Sequence, residues 1–233
     1  MDAELIATHV HTLREGDDAS KTFAARALGN MACIKAATRV PIAEAGGLPL
    51  LVELLRDGSA EAKLEAAWAL GWVLYSIDAN KVAIAEAGGV PLLVELLRDG
   101  SADAKRSTAA ALCNLAAGNA ANQVRIVEAG GIVPLVELVR NGSAYAKRST
   151  ARALRNLSRN NDANAVAIAV ALGFDALVQL ARGGRVTVNN RLIVRDAGVP
   201  AKRKAALVVA KLHRDSVPDW FPRDVKALIA SHL

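Results

Sequence analysis

The segment IAEAGGLPLLVELLRDGSA at residues 42–60 returns at residues 84–102 as IAEAGGVPLLVELLRDGSA, and the two differ only in Leu48 against Val90. A related segment, which contains Val-Glu-Ala-Gly-Gly at residues 127–131, follows a further 42 residues along the chain. A fixed period of this length indicates stacked repeats, each of which buries its apolar face against its neighbours. The sequence therefore predicts one elongated repeat domain, an architecture that more often provides binding surfaces than catalysis.

One unit, residues 80–121, has the pattern of a short, a medium and a long helix. Gly88 and Gly89 separate the first two helices, because glycine readily adopts the left-handed conformation that ends a helix. Ser101 is a candidate N-cap for the third helix. In that helix the apolar residues recur every 3 to 4 positions, which is typical of a helix with one buried face.

Three helices per unit, with Gly-Gly and Asp-Gly-Ser between them, resemble the armadillo repeat. The motif EAGG, then one apolar residue, then PLLVELLRDGSA is similar to the repeats of plant U-box proteins, vacuolar armadillo proteins and importin-α. No U-box or importin-β-binding arm is visible in the sequence. The resemblance implies an all-α, right-handed armadillo-repeat α-solenoid of about four and a half units.

We expect a single domain over residues 1–233, built from successive units. It would comprise a partial N-terminal capping unit (1–37), three central units (38–79, 80–121 and 122–163), a last unit (164–214) with an insert at about 183–199, and a C-terminal capping helix (215–233). We interpret the insert as an irregular loop with a helical turn near Asn190–Asp196.

Composition and motifs favour neither an enzyme nor a membrane protein. Apolar residues make up 52% of the chain, but no apolar run is long enough to span a bilayer. The four histidines lie near the chain ends and no nucleophile has a recognisable base, so we expect no catalytic residue, no cofactor and no metal site. The two cysteines lie in different units, which favours an intracellular protein, cytoplasmic or nuclear.

The third helices carry the candidate site. At 100° per residue, the face opposite their core stripe forms a second, outward stripe. The armadillo resemblance implies that this stripe lines a concave groove for an extended peptide, in which an asparagine of each unit holds the peptide backbone. The candidate peptide-binding residues are Arg26, Asn30, Trp68, Trp72, Tyr75, Arg106, Asn114, Arg148, Arg152, Asn156 and Arg159.

Each group has an alternative interpretation. The asparagines would equally suit hydrogen bonds within the array, the tryptophans would suit packing between units, and the arginines would suit a solvated surface. The aromatic stripe favours an apolar anchor for a ligand, because the core stripe is already filled by other residues. The arginines favour an acidic peptide and argue against the basic peptides that importin-α arrays take.

Charge is distributed unevenly along the chain. Residues 1–116 contain 11 Lys and Arg against 15 Asp and Glu, whereas residues 117–233 contain 18 against 8. This polarity leaves a second hypothesis open, in which the basic half binds nucleic acid or an anionic membrane surface. The phosphate contacts would then come from Arg148, Arg152, Arg155, Arg159, Lys202, Arg203 and Lys204. A third hypothesis is a structural or self-associating repeat module.

Overall fold

A computed structural model describes residues 2–172, 176, 179, 186–188, 191–194 and 197–212. The contacts divide the chain into two compact units, residues 1–153 and 154–233. From here on, the first unit and the second unit mean these two parts of the chain, and the 42-residue elements are called repeats. The capping helix expected at residues 215–233 lies outside the described residues.

The first unit consists of helices that follow the predicted order of short, medium and long. These are α1 (Asp2–Glu15), α2 (Asp18–Ile34), a 3-10 turn (Ala36–Thr38), α3 (Arg39–Glu44), α4 (Gly47–Asp57), α5 (Ala60–Val73), α6 (Asp78–Glu86), α7 (Gly89–Asp99), α8 (Ala102–Ala116), α9 (Ala120–Glu128), α10 (Ile132–Asn141) and α11 (Ala144–Ser158). The division between the units falls within α11. α1 and α2 correspond in repeat register to the second and third helices of the later repeats.

Serine caps begin the third helices. The hydroxyls of Ser59, Ser101 and Ser143 each accept a hydrogen bond from the backbone N–H three residues on, at 3.3, 3.2 and 3.3 Å. At the turn before α7, Gly88 has a φ of 76°, where a side chain would be strained. The predicted N-cap and the predicted glycine stop are both confirmed, and each recurs with the repeat.

The core is a set of columns, each of which takes one side chain from every repeat. The third helices supply Leu28, Leu70 and Leu112, the first helices Ile42, Ile84 and Ile126, and the second helices Leu51, Leu93 and Leu135; all are almost completely buried. The predicted core stripe of the third helices is confirmed by the burial of its leucines. Burying a leucine or isoleucine is worth about 1.5–3 kcal/mol, so these columns supply most of the drive for stacking.

A buried polar ladder accompanies the apolar columns, and the sequence analysis missed it. Asn80 and Asn122, 42 residues apart, each donate from Nδ2 to the carbonyl seven residues earlier, at 2.9 and 3.4 Å. Each also donates to a carbonyl of the preceding repeat, that of Arg39 at 3.3 Å or of Lys81 at 3.1 Å. The carbonyls of Val73 and Leu115 lie at the C-terminal ends of α5 and α8, where intrahelical N–H partners run out, so the asparagines provide their hydrogen bonds.

The second unit begins in α11 and continues with α12 (Asp162–Leu172), β1 (Val186–Val188), β2 (Arg191–Val194) and α13 (Val199–Leu212), where α12 packs against α13. Asn164 continues the asparagine ladder here, because its Nδ2 donates to the carbonyl of Leu157 at 2.9 Å.

We expected the insert to be an irregular loop with a helical turn, and this prediction is wrong: the insert contains a β-hairpin. β1 and β2 pair antiparallel, with Val186 opposite Val194 and Val188 opposite Arg191. Two short runs rich in β-branched and aliphatic residues, separated by Asn189-Asn190, are a hairpin signal. Val186, Ile193 and Val194 are fully buried, so the hairpin contributes to the core of the second unit.

Candidate functional site

The crossing of α2 with α5 is closed by a tryptophan. Gly29 of α2 lies directly beneath Trp68 of α5, so that a methyl group on Gly29 would stand 2.7 Å from Trp68 Cδ1 and 3.0 Å from the Cα of Ala69. Both distances are shorter than van der Waals contact. The two helices therefore approach this closely only because residue 29 has no side chain, and the indole of Trp68 fills the space above it.

The crossing of α5 with α8 is built from equivalent positions and is open. Gly71 takes the place of Gly29, and Ala110 takes the place of Trp68, each 42 residues further on. The nearest atoms to a methyl group on Gly71 would be Ala111 N at 3.7 Å and Ala110 Cβ at 4.0 Å. Because alanine stands where the preceding repeat has an indole, a methyl group on Gly71 would make only ordinary van der Waals contacts with α8, and the buried glycine borders a space.

That space is part of a cleft with a volume of about 100 Å³, which we call the α5–α8 cleft. Its walls are Trp68, Gly71, Trp72, Tyr75, Ser107, Ala110, Cys113, Asn114, Tyr145, Ser149 and Arg152. Five of the predicted peptide-binding residues are therefore brought together: Trp68, Trp72, Tyr75, Asn114 and Arg152.

One wall of the cleft is aromatic. The rings of Trp68 and Trp72 meet edge to face, with centroids 5.6 Å apart and an interplanar angle of 79°. Tyr75 follows, with its ring centroid 6.4 Å from that of Trp72. Both indoles are half-buried and Tyr75 is exposed. Edge-to-face geometry is a favoured arrangement for such rings, so the two indoles stabilise each other within the wall.

Two arginines hold the tyrosines at the margins of the cleft. The guanidinium of Arg39 lies 5.1 Å from the ring centroid of Tyr75 and donates to the carbonyls of Ala32 and Tyr75 at 3.0 and 3.3 Å. Arg106 lies 5.4 Å from the ring centroid of Tyr145. Cation–π contacts of this kind stabilise by about 0.5–1 kcal/mol at exposed sites, so each ring has one occupied face.

The predicted clamp asparagines lie in three different settings. Asn114 lines the cleft and donates from Nδ2 to the carbonyl of Gly71 at 2.7 Å, which is the hydrogen bond within the array that we kept as an alternative. Its amide retains a second N–H and a carbonyl oxygen. Asn30 is exposed on α2, and Asn156 belongs to the second unit.

Arg26 is engaged with carboxylates of the following repeat. Its guanidinium lies 2.9 Å from a carboxylate oxygen of Glu61 and 3.0 Å from one of Glu65. The hydrogen bond and charge of Glu65, followed by those of Glu61, raise the pKa of Arg26 further above its ordinary value. The structure places this predicted ligand-binding residue in an internal ion pair, where its charge is already compensated.

The arginines of α11 in the first unit differ from Arg26. Arg148 and Arg152 are exposed, and within the described residues neither lies within ion-pairing distance of an acid. Arg152 occupies the repeat position of Trp68 and Ala110 and forms part of the wall of the cleft. An uncompensated positive charge therefore stands beside the aromatic wall.

Six cleft residues are not among the predicted peptide-binding residues: Gly71, Ser107, Ala110, Cys113, Tyr145 and Ser149. Ser107 is only 3% exposed, and its hydroxyl has no hydrogen-bond partner within the described structure. Tyr145 is half exposed and stands at the repeat position of Glu61 and Asp103. The break in that acidic column was a readable signal, but only the packing of α11 shows that the ring faces the cleft.

The second unit has its own polar cleft, with a volume of about 830 Å³. Its walls are Arg155, Asn156, Ser158, Arg159, Asn160, Asp162, Ala197 and Gly198. The carboxylate of Asp162 accepts a hydrogen bond from the backbone N–H of Gly198 at 2.9 Å. The predicted residues Asn156 and Arg159 lie together here.

The described residues provide neither a metal-binding cluster nor a membrane-spanning helix. They contain no cluster of three or more His, Cys, Asp or Glu side chains that would hold a metal ion. None of their helices combines the length and the apolar character needed to cross a membrane.

The pattern of the armadillo/beta-catenin-like repeat matches residues 37–71, 78–117 and 119–159. The chain belongs to the armadillo repeat family. The helices described above, three to each central repeat, are the all-α solenoid units that this family implies. In the comparison with curated proteins, nothing matches this armadillo chain.

Engineered and designed proteins are among the solved structures with the same fold. An engineered protein superposes with a TM-score of 0.69 at 27% identity, over 97% of this chain and 93% of its own. A designed armadillo repeat protein in complex with the peptide (KR)4 gives a TM-score of 0.66 at 25% identity, over 97% and 87%. Computationally designed armadillo proteins for modular peptide recognition give 0.68 at 25%, with the same coverage.

Proposed function

We propose that this armadillo chain is a scaffold that binds an extended segment of another protein along its third helices. The observation that carries the proposal is the α5–α8 cleft, which joins Trp72, Asn114 and Arg152 in one concave site. Half-buried aromatic residues at a concave surface are the usual anchors of protein interfaces. The designed armadillo proteins with peptide ligands add support from the same fold.

The charges of the site favour an acidic and apolar segment. One designed relative is in complex with the basic peptide (KR)4, whereas the present chain has Arg148 and Arg152 on α11, a helix that contributes part of the cleft wall. These cations would repel a basic ligand and steer an acidic one toward the groove. The half-buried indoles would hold an apolar side chain of the ligand.

A display selection on the whole chain tests the proposal, with an acid-rich and a base-rich library of 12-residue peptides compared directly. We expect enrichment from the acid-rich library, in sequences that combine Asp or Glu with an apolar residue. Enrichment of Lys- and Arg-rich peptides would overturn the proposed polarity. If neither library gives binders, the peptide-binding function itself is wrong.

A charge reversal then connects a selected peptide to the groove. The double variant Arg148→Glu with Arg152→Glu should bind an acidic peptide at least about tenfold more slowly, because steering by charge acts on association. Arg56→Glu with Arg98→Glu is the matched control, since it changes the net charge equally on the exposed ends of α4 and α7. Equal losses in both double variants would indicate a general charge effect and no groove.

A second candidate function is phosphate binding by the second unit, as in nucleic acid or an anionic membrane. The observation that favours it is the polar cleft in which Arg155 and Arg159 stand one helical turn apart beside Asn156. Binding of duplex DNA would fall steeply with salt, since each phosphate contact releases counterions. A salt titration with Arg155→Gln/Arg159→Gln separates this function from the peptide groove, which these changes should leave intact.

If peptides and DNA both fail to bind, the remaining hypothesis is a structural or self-associating module. Sedimentation of the chain at rising concentration tests that hypothesis directly.

A further inference from the structure

We infer that the α5–α8 cleft is a receptor for one aromatic side chain of the partner, which takes the place above Gly71 that Trp68 takes above Gly29. This inference rests on the proposed peptide-binding function and names the residue class that the cleft selects.

The chain contains its own template for the occupied state. At the α2–α5 crossing, the ring atoms Cδ1 and Nε1 of Trp68 would lie 2.7 and 3.1 Å from a methyl group on Gly29, so the indole covers the glycine completely. At the α5–α8 crossing the helices present the same glycine, but Ala110 supplies only a methyl group, 4.0 Å away. A crossing of this type therefore accommodates a planar ring beside the glycine, and Ala110 does not provide such a ring at the α5–α8 crossing.

The size of the cleft agrees with a single ring. Its volume is about 100 Å³, and it is open to solvent at the groove, so that a ring inserted edge-on would remain partly outside. An engineered, fully enclosed cavity of about 150 Å³ in another protein binds benzene. A smaller, open cleft is therefore suited to one inserted ring and not to two.

The surroundings of the cleft favour a ring with a polar tip. Ser107 lies in the cleft wall, is almost completely buried, and its hydroxyl has no partner within the described structure. An indole N–H or a phenol O–H would satisfy that hydroxyl, because serine both donates and accepts. Tyr145 also borders the cleft, and the guanidinium of Arg106 lies over its ring. Tryptophan and tyrosine should therefore be selected over phenylalanine, and phenylalanine over leucine.

Arg152 adds a preference for the neighbouring residue of the partner. It occupies the next position in the same repeat column and shares the cleft wall with Trp72. A carboxylate one or two residues from the inserted ring would reach the guanidinium, since an extended chain rises about 3.3 Å per residue. The expected core motif is an aromatic residue with Asp or Glu at the first or second neighbouring position.

The decisive experiment fills the cleft from within. Ala110→Trp supplies the missing indole and should weaken the best selected peptide by at least about 30-fold, the loss expected when a central anchor is excluded. Ala102→Trp is the matched control, because it adds an indole to the exposed first turn of the same helix and should leave affinity unchanged. Ala110→Leu provides a smaller filler if Ala110→Trp does not fold, and should weaken binding at least about tenfold.

A fragment titration gives an independent readout. The blocked dipeptide Ac-Trp-Glu-NH2 at millimolar concentration should shift the amide signals of Gly71 and Ala110, whereas Ac-Leu-Glu-NH2 should shift them several-fold less. The inference is wrong, and the peptide-binding function stands, if the selected peptides lack an aromatic residue. The same conclusion follows if Ala110→Trp binds the best selected peptide as well as the wild type does. If the selection yields no binders and neither fragment shifts these signals, both are wrong.

Discussion

The crossings of α2 with α5 and of α5 with α8 share one backbone plan and have opposite surfaces. Gly29 and Gly71 occupy the same position in successive repeats, and Leu28 and Leu70 beside them are both fully buried. At the first crossing Trp68 closes the space above the glycine. At the second crossing Ala110 leaves that space open, and a cleft results.

The comparison teaches that the repeat maintains the core while single substitutions shape the groove. A buried leucine is held by neighbours in several repeats, whereas residues 26, 68, 110 and 152 face outward and vary as Arg, Trp, Ala and Arg. A large side chain at this position seals a crossing, and a small one opens it. Four pairs of substitutions test this division between core and groove, from the largest expected effect to the smallest.

The largest effect should separate core from cleft within α5. Leu70→Ala should lower the free energy of unfolding by about 2–5 kcal/mol, because it leaves a cavity in a fully buried column. Trp72→Ala, two residues away, should change stability far less and instead weaken peptide binding by about 2 kcal/mol or more. Urea unfolding and a binding titration measure the two. Equal destabilisation by both substitutions would show that Trp72 belongs to the core.

The next effect distinguishes the two glycines. Gly29→Ala should destabilise by about 1–3 kcal/mol through overpacking against Trp68 and the α5 backbone. Gly71→Ala meets nothing closer than 3.7 Å, and should be neutral or stabilise by up to about 1 kcal/mol through helix propensity. Thermal unfolding of both variants checks the contrast. In a Trp68→Ala background, the cost of Gly29→Ala should fall; an unchanged cost would assign the strain to the backbone alone.

A smaller contrast concerns the two kinds of asparagine. Asn80→Ala removes two buried hydrogen bonds, each worth about 0.5–1.5 kcal/mol, and should leave peptide binding unchanged. Asn114→Ala removes one half-buried bond to Gly71 and should lower stability less while it weakens binding. Denaturant unfolding with a parallel binding assay tests this. Unchanged binding in Asn114→Ala would mean that the amide serves only the array.

The smallest effect should come from the arginines at the ends of the repeat column. Arg26→Gln breaks two ion pairs of a half-exposed arginine, worth about 0–1 kcal/mol, and should not alter binding of an acidic peptide, because Glu61 and Glu65 already compensate the charge. Arg152→Gln should slow association by a few-fold at low salt. Stopped-flow mixing at two salt concentrations compares them. Slower peptide association with Arg26→Gln would show that Arg26 belongs to the binding site.

Much of the fold was predictable because the same local sequence signals recur in each repeat. The glycine stop at Gly88, the cap at Ser101 and the core leucines each follow from a local rule that the 42-residue period repeats. The asparagine ladder at Asn80 and Asn122 was readable from the same period but was missed, since buried amides are recognised only when their carbonyl partners are known. The hairpin was missed for a different reason: the insert interrupts the 42-residue period and was interpreted as an irregular loop with a helical turn, although its residues are strand-like.

The amino-acid sequence by itself determined the repeat, its helices, its buried columns and the outward stripe of candidate residues. Only the tertiary structure decided which of those residues share a site: Trp72 and Arg152 lie on one cleft, while Arg26 is engaged with the next repeat. The physical reason is that helical periodicity fixes the face of a residue within its own helix. The space above that face depends on the side-chain volumes that the neighbouring helix presents, here the indole of Trp68 at one crossing and the methyl group of Ala110 at the next.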